Sequence, residues 1–339
     1  MAFYESCLAD IELLNIPSEP LSEEEINILN ALARGMQPDE AAAATEAAQL
    51  LNNLSPSWEL DRGKKAKDYW WEVFGLIWNI ARSYNVPTWV QERLIAIILE
   101  LHKILGEREL VYTADQGYEV QEHIWNDILL IECLAEHIRL GLNDDPTTEY
   151  QDIVFNPSNA QRYQNISWFA ARLQAVDVLL NDDRCILALT DALETDLSTL
   201  APAAAECRIL VACGWLVNCS RDLLEWSQAY DFPDPPPSRL EPRWDDNDEY
   251  PRLVPDPTVG PLYPGPPALC PDRWDFWLAR LDDIASEASG FGDPVRHAAL
   301  EAAKAMRAAE EEAGIRKGNN VASRETNEDT VNGGRLENA

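Results

Sequence analysis

Positive charge is what this chain has least of for its length. Over 339 residues, 27 Lys and Arg stand against 59 Asp and Glu, a formal net charge of −32. Phosphate backbones and anionic lipid surfaces would be repelled, so neither nucleic acid nor a membrane surface is expected as a partner. Long apolar runs are also missing. The longest uninterrupted one, about Ile209 to Val217, is far below the roughly 18 residues that a membrane span needs. Histidines number four. Placed on one helix, His123 and His137 would lie roughly 21 Å apart, too far to share a metal. No Gly-x-Gly-x-x-Gly, no Gly-Lys-Ser/Thr phosphate loop and no Gly-x-Ser-x-Gly is present, so the common nucleotide-binding and hydrolase signatures are excluded. The residues from Met1 to Cys7 show neither a basic region nor a signal-type apolar core. Seven cysteines without regular pairing then read as reduced thiols, and a cytoplasmic or nuclear location is expected.

What the chain does have is helix punctuation and tryptophan. Hydrophobic residues make up 46% and there are 12 Trp, enough to build a sizeable core. Ser22 and Glu25 form a capping box, with Leu21 and Ile26 able to staple the same turn, and Gly35 reads as the stop. A second helix is expected from Pro38 to Leu51. A third, from Lys65 to Tyr84, carries Tyr69, Trp70, Trp71, Phe74, Ile77 and Trp78, an aromatic face too broad for one neighbour. Thr88 and Gln91 read as another capping box, opening the amphipathic series Val90, Leu94, Ile97, Ile98, Leu101 and Leu105. Further helices are expected over Val120–Leu140, Ser167–Leu180, Arg184–Thr195 and Ala203–Gln228.

No strand alternation of useful length stands between them, so the fold is read as all-α, an irregular antiparallel helical array or bundle. From Asp231 to Pro271 the chain is rich in proline and acid. This reads as an insertion with an ordered margin at Val259 to Pro271. The next helix opens on Pro271 and exposes Trp274 and Trp277 on one side and Phe276 on the other, so it should be sandwiched. A final helix is expected from Pro294 to Glu312. The resulting organisation is an N-terminal helical region (1–63), a helical core (64–230), the insertion (231–271), C-terminal helices packed on the core (272–313) and a disordered tail (314–339).

Several blocks, in order, resemble a fungal family catalogued as domain of unknown function 3632. They are Ile124-Trp125-Asn126-Asp127-Ile128, Phe169-Ala170-Ala171-Arg172-Leu173, Ala192-Leu193-Glu194, Gly214-Trp215-Leu216 and the stretch from Gly260 to Trp277. The residues that carry the resemblance are Trp125, Asp127, Phe169, Arg172, Leu173, Trp215, Arg273, Trp274, Phe276 and Trp277. Leu129 stands where the family has Pro. Pro266 and Pro267 replace a more glycine-like stretch, and Cys270 replaces a Ser-type helix cap. The resemblance implies an all-helical intracellular fungal protein of unassigned activity. It offers no catalytic residue, cofactor or metal site to carry over.

Candidate chemistry is limited to thiols and paired acids. Cys207, Cys213 and Cys219 recur every six residues, but on a helix successive thiols point roughly 240° apart and cannot enclose one ion. The pairs Asp282-Asp283 (with Glu287), Asp182-Asp183 and Asp144-Asp145, and the run Asp245 to Glu249, resemble the aspartate-rich stretches with which all-α terpenoid synthases hold magnesium and diphosphate. Asn218, Ser220 and Asp222 lack the spacing of that class's second metal motif. The reading that follows is a non-enzymatic interaction, scaffold or accessory protein with protein partners and no cofactor. The alternative is a metal-dependent all-α enzyme or accessory factor of secondary metabolism. Acidic pairs converging on one deep pocket would favour the alternative; acids scattered over the surface would favour the scaffold.

Overall fold

The structure, a computed structural model, describes residues 22–37, 42–56, 63–83, 85–106, 109–113, 119–123, 157–179, 182–229, 240–243, 252–255 and 259–315. The first helix, α1 (Glu23–Gly35), starts on the expected capping box: Ser22 Oγ accepts from Glu25 N–H, and the Glu25 carboxylate accepts from Ser22 N–H. Gly35 is not the stop. It is the last helical residue and buried, and a Cβ there would lie 2.5 Å from Ile97 Cδ1 and 2.6 Å from Ala47 Cβ. Its missing side chain lets α1 approach α2 (Ala43–Leu54) and α4 (Thr88–Leu105) closely.

Between them runs α3 (Gly63–Arg82), whose Trp70, Val73, Phe74, Ile77 and Trp78 are fully buried. Its broad aromatic face has partners on two sides, as expected. Tyr69 donates its hydroxyl to Leu51 O at 2.7 Å on the α2 side, and Trp78 meets Phe169 edge-to-face at 5.0 Å on the α5 side. The α4 cap differs from expectation. Pro87 is the N-cap and no side chain caps the turn. Gln91 points inward instead, donating to Ala81 O at 2.8 Å and to Asn165 O at 3.0 Å.

The second half is built around α7 (Pro202–Ala229), against which α5 (Pro157–Gln174), α6 (Asp182–Leu193), α8 (Pro271–Ala285) and α9 (Asp293–Glu312) all pack. Among the described residues α7 is the one helix long and apolar enough to cross a membrane by length and composition, with mean hydropathy 1.2 over 18 residues. Being surrounded by other helices accounts for that apolarity. The helix packing also explains Gly214. A Cβ on it would come within 2.0 Å of the Trp168 indole, which lies against α7 and donates from Nε1 to Leu210 O at 2.9 Å. Gly214→Ala should therefore destabilise the protein by about 1–3 kcal/mol from overpacking, despite alanine's better helix propensity. A urea midpoint that rises on this substitution would show that the α5–α7 seam has room.

A single continuous set of buried apolar side chains runs from α1 to α9, and the fold is all-α. Two antiparallel hairpins are also present among the described residues. The strand β1 (Glu109–Thr113) pairs with β2 (Glu119–His123), with Val111 opposite Gln121 and Tyr112 opposite Val120. The helix expected from Val120 is thus a strand as far as His123, because a facing strand, rather than the next turn of a helix, satisfies its backbone. Residues 124–140, with Trp125, Asp127 and His137, lie outside the described residues. The second hairpin, β3 (Leu240–Arg243) with β4 (Arg252–Pro255), falls inside the proline-rich acidic insertion, outside the margin expected to be ordered. The run Asp245 to Glu249 between those strands lies outside the described residues, as do Asp144, Asp145, Leu21, Pro38 and the stretch beyond Ile315.

Candidate functional site

The most concentrated chemistry lies where the segment 259–270 meets α6 and α8. Glu194, just past the end of α6, is fully buried, and Arg273 in the first turn of α8 is 1% exposed. The two form a forked pair: Arg273 Nε donates to Glu194 Oε1 at 2.6 Å and Nη2 to Oε2 at 3.0 Å. Trp277 Nε1 donates to Oε1 at 2.7 Å and the Gly260 amide to Oε2 at 2.8 Å. Each carboxylate oxygen thus accepts two bonds, which fills its lone pairs. Thr190 Oγ1 takes a further Nη2 contact at 2.8 Å. The guanidinium also lies over the rings of Trp277, at 5.1 Å, and Tyr263, at 5.5 Å, where the negative faces of both rings favour a cation.

Local sequence explains how the parts arrive. Pro271 sits at the start of α8, where its fixed φ suits a helix and its missing N–H is not needed. Cys270 is the N-cap residue but makes no side-chain cap; its Sγ lies 3.3 Å from the Tyr263 hydroxyl. The N-cap side chain makes an internal contact in place of a helix cap. Gly260 is required by close approach, since a Cβ there would come within 2.4 Å of Glu194 Cβ. The Glu194 carbonyl also accepts from Leu262 N–H at 2.8 Å. One residue therefore holds the segment with both its backbone and its side chain.

The other signature residues do not converge here. Trp274 faces the opposite neighbour and donates from Nε1 to Glu310 Oε1 on α9 at 3.0 Å. Phe276 packs against Tyr263 at 5.4 Å, so α8 is sandwiched as expected. Phe169 and Leu173 are fully buried in α5, and Trp215 is buried in α7. Arg172 donates from Nη1 to Gln91 Oε1 at 3.0 Å, tying α5 to α4. These residues mark seams between helices. Thr190, Gly260 and Tyr263 were not singled out for chemistry, and Glu194 only as part of a block. The available signal was Arg273 itself: an arginine one turn before Trp277 on an apolar helix face requires a buried acid.

The thiols behave as core groups. Burial pushes Cys207 up to about 11 and both Cys213 and Cys219 up to about 12. Among the paired acids, Asp282 binds Arg307 on α9 at 2.5 Å and Asp283 lies 3.9 Å from Arg280, both on exposed ground. Asn218 donates to Gly214 O at 2.7 Å and Ser220 to Leu216 O, each closing on its own helix. Burial raises the Asp222 carboxyl, with Asp177 and Glu225 adding to the effect. A different set of acids shares a groove of about 630 Å³ beside α1 and α3, lined by Glu24, Glu25, Asp68 and Glu72 with Lys65 and Tyr69. Burial raises the Glu72 carboxyl there, followed by the charges of Glu25 and Glu24. Among the described residues no group of three His, Cys, Asp or Glu is arranged to hold a metal ion.

An all-α protein whose most buried ion pair joins an irregular segment to two helices is what this fold and this site define. The chain belongs to the family described as "Protein of unknown function (DUF3632)", which matches residues 74–281, more than half of its length. Comparison with curated proteins and with solved structures gives no match. The family match ends within α8, four residues beyond Trp277, and so takes in both halves of the Glu194–Arg273 pair.

Proposed function

We propose that this protein is a non-enzymatic helical interaction or scaffold protein, acting through protein partners in the cytoplasm or nucleus. The observation that carries the reading is the use of its buried chemistry: the Glu194–Arg273 pair has every carboxylate lone pair occupied within the chain. A substrate would find neither an open acid nor an open base there. A formal net charge of −32 favours protein partners with basic surfaces over nucleic acid or anionic membranes. The exposed Asp282–Arg307 and Asp283–Arg280 contacts fit a surface role for those acids.

The test has two arms. Affinity purification of the tagged full chain from its native host should recover a partner protein in stoichiometric amount, and the complex should re-form from purified components. Thermal unfolding at constant ionic strength should show no magnesium-specific rise in Tm and no added effect of a diphosphate ligand. A saturable rise that needs both would overturn the reading in favour of the metal-dependent enzyme, because specific binding stabilises the folded state by mass action.

A further inference from the structure

Although this chain carries 59 acids and 27 basic residues, two of its arginines meet at one helix seam, each with a buried Nε. Arg82 closes α3 and is 8% exposed; Arg162 lies in the second turn of α5. The Nε atoms of both are buried and lack hydrogen-bond partners, as does the buried Oδ1 of Asn79 one turn earlier on α3. Among the described residues neither arginine is paired with a carboxylate.

Their proximity follows from the packing. Asn165 Nδ2 donates to the Ser83 carbonyl at 2.6 Å, Gln161 Nε2 donates to Asn165 Oδ1 at 3.0 Å, and Gln91 bridges Ala81 O and Asn165 O. Residues 161–165 are thereby fastened to residues 81–83, which brings Arg162 and Arg82 to the same seam. Burial first, and then the positive charge of Arg162, pushes the Arg82 guanidinium down to about 10. Arg172, further along α5, is engaged by Gln91 and lies in the field of Glu92.

We propose that Arg82 and Arg162 form a binding site at the α3–α5 seam for a phosphoryl group, as free phosphate or as a phosphate monoester. Two guanidiniums that repel each other are both neutralised by one dianion, whereas a carboxylate neutralises only one. A phosphoryl group carries about −1.5 to −2 charges near neutral pH and offers three oxygens to forked donors. The surrounding field of a −32 protein opposes anions in general, so a specific anion response is diagnostic. This site is independent of the scaffold reading.

Thermal unfolding of the full chain tests it with inorganic phosphate, O-phosphoserine and acetate at constant ionic strength, on wild type, Arg82→Gln and Arg162→Gln. Wild type should show a saturable rise in Tm, on the order of 5 °C at hundredfold excess over Kd, with phosphate or phosphoserine and none with acetate. The larger of the two responses identifies free anion or ester as the ligand. Both variants should lose the response and, without ligand, be at least as stable as wild type. Should Arg82→Gln fail to fold, Arg162→Gln carries the same test from the less confined position. No saturable rise in wild type would overturn the site. So would an equal rise in the variants, which is general salt exclusion, or an equal rise with acetate. Variants that are less stable and insensitive to phosphate would place a carboxylate of the chain itself between the arginines, which also overturns it.

Discussion

Glu194→Ala should be the most damaging single substitution in this protein, lowering its stability by about 3–5 kcal/mol. The change leaves Arg273, 1% exposed, as a buried cation without its counter-charge. It also removes the acceptor for the Trp277 indole and the Gly260 amide. Against a total stability on the order of 5–15 kcal/mol, that loss is a large share. The charge, rather than the contact area, dominates the expected effect. Replacing Glu194 and Arg273 together by Met should therefore cost less than replacing Glu194 alone, since no buried charge is left behind. Urea unfolding of the two variants decides this. A double variant less stable than the single would mean that the pair stabilises the fold by more than the desolvation of its two ions.

The second large effect is expected at Trp274, on the opposite face of the same helix. Trp274→Ala removes a side chain that is 2% exposed and the indole that donates to Glu310. The loss should be about 3–5 kcal/mol from the cavity and the lost contacts. Thermal unfolding should show it as a fall in Tm of roughly 4–7 °C. Trp274→Phe keeps one aromatic ring but loses the N–H and the rest of the indole, so it should cost less, about 1–3 kcal/mol. An unchanged midpoint for Trp274→Ala would put α8 on the surface and contradict the sandwich between the 259–270 segment and α9.

Both predictions concern residues visible as a motif in the chain, yet the chain does not say what they do. Trp274, Phe276 and Trp277 lie within four positions, and their spacing around a helix was enough to require apolar partners on both sides. It was not enough to name Glu310 for one and Glu194 for the other. Arg172 was likewise legible as part of a block, while its bond to Gln91 depended on Gln91 abandoning the cap expected of Thr88 and Gln91. The acidic pairs were legible as pairs, but Asp282 found Arg307, and the acids sharing a groove came from α1 and α3.

The sequence by itself determined what acts within about one turn of the chain. The capping box of Ser22 and Glu25, Pro271 at the head of α8, the aromatic face of α3 and the all-α class all follow from contacts among residues three or four apart. Those contacts are local, and they hold where packing does not redirect the side chain, as it does Gln91. Tertiary structure alone decided the rest. Glu194 and Arg273 are 79 residues apart, and Gln91 and Arg172 are 81 apart. Gly35 and Gly214 are needed because another helix crosses there, not because the chain turns. The strand at Val120 exists because a second strand runs beside it. Each depends on which surfaces meet once the helices pack, and a buried charge or a missing side chain acquires its meaning only from the group it meets there.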